Sequence, residues 1–158
     1  MRVLTVRQPW ASLLVTGRKD IENRTWATHY RGPVYILAGK CTPDRQECDR
    51  LGIEASELPC GGIIGRVILR GCVTASSSPW FSGPIGWQFD EASACELYPF
   101  RGALGLGIAA DLPAGALRFF RYTPLLCRTR SEDLFSPMAS VVRGAIRSSS
   151  GNKSDTST

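Results

Sequence analysis

The sequence has little that could bind a metal ion. Its six cysteines include no CxxC pair, and His29 is the single histidine among 158 residues. Structural zinc sites use four Cys or His ligands, most often in closely spaced pairs. We therefore expect no metal site, and we expect no cofactor.

Long hydrophobic segments are also absent. No apolar run reaches the ~18–20 residues that a membrane-spanning helix requires. The chain opens with Met1-Arg2 and a short strand-like run, without the apolar stretch of a secretory signal. These features predict a cytoplasmic protein with no membrane partner, in which the cysteines are reduced.

The balance of charges is only slightly basic, with a formal net charge of +5 at pH 7. Hydrophobic residues make up 43% of the chain and charged residues 21%, which is typical of one folded domain with a core. The basic excess is compatible with a nucleic-acid partner but is too small to predict one by itself. In residues 1–31 two acids accompany six basic side chains, which are Arg2, Arg7, Arg18, Lys19, Arg24 and Arg31.

The hydrophobic pattern predicts two short helices. Pro9 suits a first helical position, because its fixed φ fits there and its missing N–H would be unpaired in any case. Trp10 and the leucines three and four residues later form one apolar stripe, and Gly17 can take the left-handed conformation that ends a helix. A second helix is predicted to begin with an N-cap at Thr42 and to end at about Leu51.

The remaining pattern is mostly that of β-structure. Gly65 and Gly71 interrupt the longest β-branched run and predict bulges or bends, which a small barrel needs at its corners. The mixture predicts an α+β fold, a small mixed β-barrel with two or more short flanking helices. The predicted strands cover residues 3–6, 20–26, 34–38, 62–75, 86–89, 95–98 and 103–108.

The pattern weakens beyond about residue 112. Residues 117–126 could form a strand or a packed segment, whereas residues 148–158 are almost wholly small and polar, which predicts a disordered tail. We therefore predict a folded domain over residues 1–110, an extension of uncertain structure over 111–147 and the tail over 148–158.

Several motifs follow one another in order between residues 4 and 107. The most specific is GxKxxExR, formed by Gly17, Lys19, Glu22 and Arg24. The others lie in residues 7–11, 26–40, 62–67, 78–87 and 101–106. With these motifs in this order, the sequence resembles the ASCH domain family, a branch of the PUA-like folds.

The resemblance implies a PUA-like barrel with a cleft beside the first helix. Family members are expected to bind RNA or nucleotides there, and some relatives hydrolyse modified nucleosides or RNA. The ligand-binding residues predicted for this cleft are Arg7, Gln8, Trp10, Lys19, Glu22, Arg24, Trp26 and Trp80.

Three charged residues of the GxKxxExR motif suit such a cleft on their own chemistry. Lys19, at the helix exit, could contact a phosphate as a compact charge, and Arg24 could bind one bidentately or stack on a base. Glu22 is predicted to share a strand face with Arg24, where it could hold the guanidinium or accept a hydrogen bond from a base amino group. The alternatives are a structural Glu22–Arg24 ion pair and a solvated Lys19.

The four tryptophans could supply stacking platforms, each worth about 1–3 kcal/mol per base. Trp10 lies on the apolar stripe and Trp87 begins a strand, so both also suit the core. Trp80 lies in a loop rich in Ser, Pro and Gly, where a large aromatic side chain is harder to explain as core. Trp26 is predicted on the same face as the charged residues, and His29, in a turn, is predicted to be exposed.

A hydrolase is the alternative function. In the nucleoside amidohydrolase branch of the family, a lysine at the position of Lys19 is thought to act with a threonine three residues later and a distant glutamate. Here Lys19 is present, but Glu22 stands in place of the threonine, so a Lys19–Glu22 acid–base pair is the catalytic form that remains. This difference favours binding over catalysis, and a protein-interaction domain without a nucleic-acid ligand is the third hypothesis.

Overall fold

A mixed β-sheet is the framework of the protein in its computed structural model, which describes residues 1–40, 42–102, 105–108 and 115–120. Within these residues the sheet has seven strands, in the order β2-β5-β4-β3-β1-β6, with β7 paired to β5. Strands β1 and β3 run parallel, and the other pairs are antiparallel. The strands are β1 (Arg2–Val6), β2 (Ile21–Arg24), β3 (Gly32–Ala38), β4 (Gly62–Val73), β5 (Ile85–Pro99), β6 (Leu106–Ile108) and β7 (Phe119–Phe120).

The long β4–β5 pair curls the sheet into a half-barrel. Its register shifts between Ile63 and Gly65 and again between Leu69 and Gly71, so both predicted glycine irregularities are confirmed. A Cβ on Gly65 would lie 2.5 Å from the Ser93 carbonyl oxygen, closer than any side chain tolerates. Gly65 therefore lets β4 approach its neighbour, and the curled sheet with its two short helices confirms the predicted α+β fold.

Helix α1 (Trp10–Val15) covers one face of the curled sheet, against β3, β4 and β5. Its buried residues join a core that includes the fully buried Trp87, so the prediction that this tryptophan is packed is confirmed. Gly17 follows the C-cap residue Thr16, and its φ of +74° is left-handed as predicted. Pro9 precedes the helix as its N-cap residue instead of occupying the first helical position.

Helix α2 (Arg45–Arg50) lies beside α1 and is followed by a short 3₁₀ turn (Ala55–Glu57). The predicted N-cap at Thr42 is wrong, because the Asp44 carboxylate caps the helix by accepting a hydrogen bond from the Glu47 N–H at 3.1 Å. Cys48 of α2 packs with Leu13 of α1 in a second apolar cluster. This cluster fixes α2 next to the end of α1.

Residues 85–99 form one continuous strand, although two strands over 86–89 and 95–98 were predicted. The intervening Asp90 and Glu91 are polar enough to suggest a loop, but both form ion pairs with Arg70 of β4 on the exposed side of the sheet. Of the predicted strand over 103–108, residues 106–108 are described and pair with β1. No helix of the described residues is long and apolar enough to cross a membrane.

The predicted C-terminal segments are described only in part. Phe119 and Phe120, within the predicted strand or packed segment over 117–126, pair with β5. Apart from residues 115–120, the predicted extension over 111–147 and tail over 148–158 lie outside the described residues. Both stay predictions.

Candidate functional site

Lys19 lies buried at the junction between α1 and β2. The chain turns at Gly17, and the Lys19 N–H then donates to the Leu13 carbonyl at 3.0 Å. The Lys19 side chain is 3% exposed, and its ammonium donates to the Ile21 carbonyl and to Glu22 Oε2, the latter at 2.7 Å. The alternative of a solvated surface lysine is therefore wrong.

Glu22 joins two cations from opposite sides. One carboxylate oxygen accepts from Lys19, and the other lies 3.5 Å from Arg24 Nη2. The same Arg24 nitrogen donates to the Thr5 carbonyl of β1 at 3.1 Å. Glu22 and Arg24 thus share a strand face, as the alternation predicted, and the three residues form a charged chain with one positive charge in excess.

A cleft of about 420 Å³ lies beside α1 on the Lys19 side of this chain. Lys19 Nζ is 6.0 Å from the centroid of the Trp80 ring, within the range of a cation–π contact. Four of the predicted site residues line this cleft, which we call the smaller cleft: Trp10, Lys19, Glu22 and Trp80. The sequence did not predict its other lining residues, which are Asn23, Glu47, Arg50, Pro79 and Ser82.

The loop that carries Trp80 is fastened to β2 by side-chain hydrogen bonds. Asn23 Nδ2 donates to the Trp80 carbonyl at 2.8 Å, and Asn23 Oδ1 accepts from the Ser82 N–H at 3.0 Å. The indole N–H of Trp80 donates to the Arg18 carbonyl at 3.0 Å. Asn is disfavoured within strands, so its presence in β2 was a signal that this position has another task.

A larger cleft of about 900 Å³ lies on the Arg24 side of the charged chain. Pairing of Ala38 with Gly62, and of Gly62 with Pro99, brings the ends of β3 and β5 to one edge of the sheet. Lys40 and Arg101 each follow two residues beyond those ends. Among the described residues, the lining consists of Thr5, Arg24, Leu37, Gly39, Lys40, Gly61, Pro99, Phe100, Arg101, Gly102 and Gly105.

Three predicted ligand-binding residues line neither cleft. Gln8 is fully buried, and its amide caps α1 by accepting from the Ser12 N–H at 3.1 Å and donating to the Pro59 carbonyl at 2.7 Å. Arg7 is exposed just before the helix. Trp26 is 38% exposed, and its ring contacts Trp87 edge-on with centroids 4.6 Å apart.

Trp26 also approaches the larger cleft. A Cβ built on Gly105, which lines that cleft, would lie 3.9 Å from the Trp26 ring. The structure thus brings four of the eight predicted residues to the smaller cleft and Arg24 to the larger one. It places Trp26 near the rim of the larger cleft and uses Gln8 inside the fold.

Two further titratable residues, His29 and Cys95, line neither cleft. His29 is exposed, as predicted. Burial raises the pKa of the Cys95 thiol to about 11, with a smaller contribution from the neighbouring Glu96 charge. Within the described residues, no group of three or more His, Cys, Asp or Glu is placed to hold a metal ion.

Comparison with known proteins agrees with the motifs. The family model of the ASCH domain matches residues 4–99. The human protein Activating signal cointegrator 1 is 38% identical over 82 residues, and its mouse counterpart is 37% identical over the same length. Each match covers 45% of this chain and 14% of the relative, so the chain corresponds to a small part of those proteins. Because the family model covers more than half of the chain, the chain belongs to the ASCH domain family.

Proposed function

We propose that this domain binds single-stranded RNA or nucleotides in the cleft beside α1. The observation that carries the proposal is the Lys19–Glu22–Arg24 chain, which joins an aromatic-lined cleft to a basic one. RNA recognition commonly targets unstacked bases, which stack on aromatic or guanidinium planes while cations contact the backbone. Membership of the ASCH family, in which RNA or nucleotide ligands are expected, adds support.

The smaller cleft suits a base. Trp80 is half-buried, and its loop is held by Asn23, so its ring is oriented before a ligand arrives. Trp10 lines the same cleft but also packs on both apolar clusters, which makes it the more rigid of the two aromatic walls. Glu22 retains acceptor capacity on its carboxylate for a base amino group.

Fluorescence anisotropy with a labelled oligouridine of about ten nucleotides, a length within the usual range of single-strand sites, tests the proposal. At low salt, Trp80→Ala should weaken binding about 5- to 150-fold, the equivalent of one lost stacking contact. Trp80→Phe loses the hydrogen bond from the indole N–H to the Arg18 carbonyl. It keeps a ring that can stack on a base, so it should bind nearly as well as the wild type. Phe119→Ala, which removes an exposed ring outside both clefts, is the matched control.

Two results would contradict the proposal. One is that the folded wild-type protein binds no oligouridine and no mononucleotide at low salt. The other is that Trp80→Ala binds as well as Phe119→Ala, which would leave the aromatic cleft without a role.

The alternative functions have separate readouts in the same preparation. Deacylation of acylated cytidine, or cleavage of RNA, above a Lys19→Ala control would show the hydrolase. A protein-interaction domain would show a melting temperature that no nucleotide shifts, together with lower stability after Glu22→Ala or Arg24→Ala.

A further inference from the structure

The larger cleft is lined by three cationic side chains and by no acidic one among its described lining residues. Arg24 comes from β2, Lys40 follows β3 and Arg101 follows β5, so the three converge from separate parts of the chain. We propose that Lys40 and Arg101 act with Arg24 to bind the phosphate groups of the ligand. This inference rests on the proposed function, because it assigns the phosphates to the second half of the same site.

Two cations of this cleft, Lys40 and Arg101, differ from Arg50 and Arg70 in having no carboxylate partner among the described residues. Arg50 and Arg70 form close ion pairs with Glu47 and Asp90, each at 2.7 Å. Within the described part of the chain, no ion pair joins Lys40 or Arg101 to a carboxylate. The cleft therefore carries a positive field that an anion would neutralise.

Arg24 supplies a fixed donor to the same space. Its Nη2 is held by the Thr5 carbonyl and by the Glu22 carboxylate, which orients the guanidinium plane. The Arg24 side chain is 26% exposed and lines the cleft, so part of it is open to a ligand there. A phosphate oxygen is the acceptor that a guanidinium fork matches best.

The walls of the cleft let a ligand lie against the main chain. Glycine occupies four lining positions, and a Cβ on Gly102 would lie 2.7 Å from Thr5 Oγ1. Leu37 and Phe100 add apolar surface, which suits a ribose or a base edge next to the phosphates. The volume of about 900 Å³ is near the upper end of the ~300–1,000 Å³ typical of ligand sites, so more than one phosphate fits.

Two sources could supply such phosphates, the backbone of single-stranded RNA or a nucleoside polyphosphate. Salt dependence reports how many phosphate contacts the protein makes. For a single strand, each contact contributes about −0.7 to the slope of log K against log [salt], and a lost contact reduces the magnitude of the slope by that amount. With three contacts, the wild-type slope should be about −2. Lys40→Ala and Arg101→Ala should each lower its magnitude by about 0.7 and weaken binding about three- to tenfold.

Arg45→Ala is the matched control, because it removes one exposed positive charge from α2 and lines neither cleft. Oligouridine, ATP and inorganic tripolyphosphate are titrated against the wild type and the three variants. Stronger dependence of oligouridine than of ATP on Lys40 and Arg101 identifies a backbone site, and the reverse identifies a nucleoside polyphosphate site. All three substitutions are at exposed positions, so unchanged melting temperatures verify that each variant is folded.

The outcomes separate this inference from the proposed function. If oligouridine binds but its affinity and salt slope in Lys40→Ala and Arg101→Ala match those of Arg45→Ala, the phosphate site is wrong and RNA binding stands. If oligouridine and ATP do not bind but tripolyphosphate does, and both variants weaken it, the phosphate site stands and the proposed ligand is wrong. If none of the three probes binds the wild type, both are overturned.

Discussion

Glu22→Gln tests the charged chain at the centre of the site. The substitution keeps the shape of the side chain but removes the negative charge between Lys19 and Arg24. Lys19, whose side chain is 3% exposed, would then retain the Ile21 carbonyl as a partner and lose its counter-charge. Removing one member of a buried ion pair costs about 3–5 kcal/mol, because the other charge is left uncompensated.

The expected cost for Glu22→Gln is lower, about 2 kcal/mol of the free energy of unfolding. The new amide oxygen can still accept a hydrogen bond from Lys19, and the Glu22 side chain is 13% exposed, so water can approach. Arg24 contributes little to the loss, because it is 26% exposed and lies 3.5 Å from the carboxylate.

Denaturant unfolding of the wild type and the variant measures this value at pH 7. Glu47→Gln is the matched control, because it removes the same charge from the exposed Glu47–Arg50 pair and should change stability by no more than about 0.5 kcal/mol. Equal losses for Glu22→Gln and Glu47→Gln would show that buried Lys19 does not depend on the Glu22 charge.

Three further predictions concern the framework around the site. Burial raises the pKa of Cys95 in the folded protein from 9.0 to about 11. The stability due to this thiol is therefore fully present below pH 9 and is lost as the pH rises through 11. The loss should be at most about 3 kcal/mol, which urea unfolding at a series of pH values measures. Gly65→Ala places a methyl group against the Ser93 carbonyl and should destabilise the fold by about 1–3 kcal/mol, measured by thermal unfolding. Gln8→Ala leaves the start of α1 without its buried amide partner and should cost about 2 kcal/mol in denaturant unfolding.

Each of these predictions has a control within the chain. Cys95→Ala should flatten the decline between pH 9 and pH 11, and a decline that persists unchanged would assign it to other groups. Gly71→Ala is in the same strand as Gly65 but meets its nearest atom at 3.4 Å, so it should be nearly neutral. Gln8→Glu keeps the acceptor but not the donor, so it should lose the hydrogen bond to the Pro59 carbonyl. If Gln8→Ala leaves the free energy of unfolding unchanged, the capping role of Gln8 is wrong.

The parts of the fold that the sequence predicted are those governed by local chemistry. The apolar stripe of α1 and the left-handed Gly17 follow from neighbouring residues, and both are in the structure. Gly65 and Gly71 likewise signalled irregularities in β4 because glycine is costly in a regular strand. Local chemistry also gave the shared face of Glu22 and Arg24.

The errors arose where a tertiary contact decides the outcome. Two separate strands over 86–89 and 95–98 were predicted, but Arg70 on the neighbouring strand compensates the charges of Asp90 and Glu91, so β5 continues through them. Asp44 rather than Thr42 caps α2, because Asp is the better N-cap residue and the Asp44 N–H is held by the Gln8 carbonyl at 3.0 Å.

The larger cleft was missed for a similar reason. Lys40 and Arg101 are 61 positions apart in the sequence, and only the register of β3, β4 and β5 brings them to one edge. Both lie next to glycines within motifs of the family resemblance, but nothing local indicates that they face a common space. Non-local strand pairing is the information that a single sequence does not display.

A nitrogen-15 NMR titration with oligouridine is the most direct test of the central claim, that one ligand occupies both clefts on either side of the Lys19–Glu22–Arg24 chain. Amide resonances should shift together around Lys40, around Arg101 and in the loop that carries Trp80. Resonances near the Arg70–Asp90 ion pair, outside both clefts, should not move. Shifts confined to that outer surface, or no shifts at all, would show that the ligand does not occupy the two clefts.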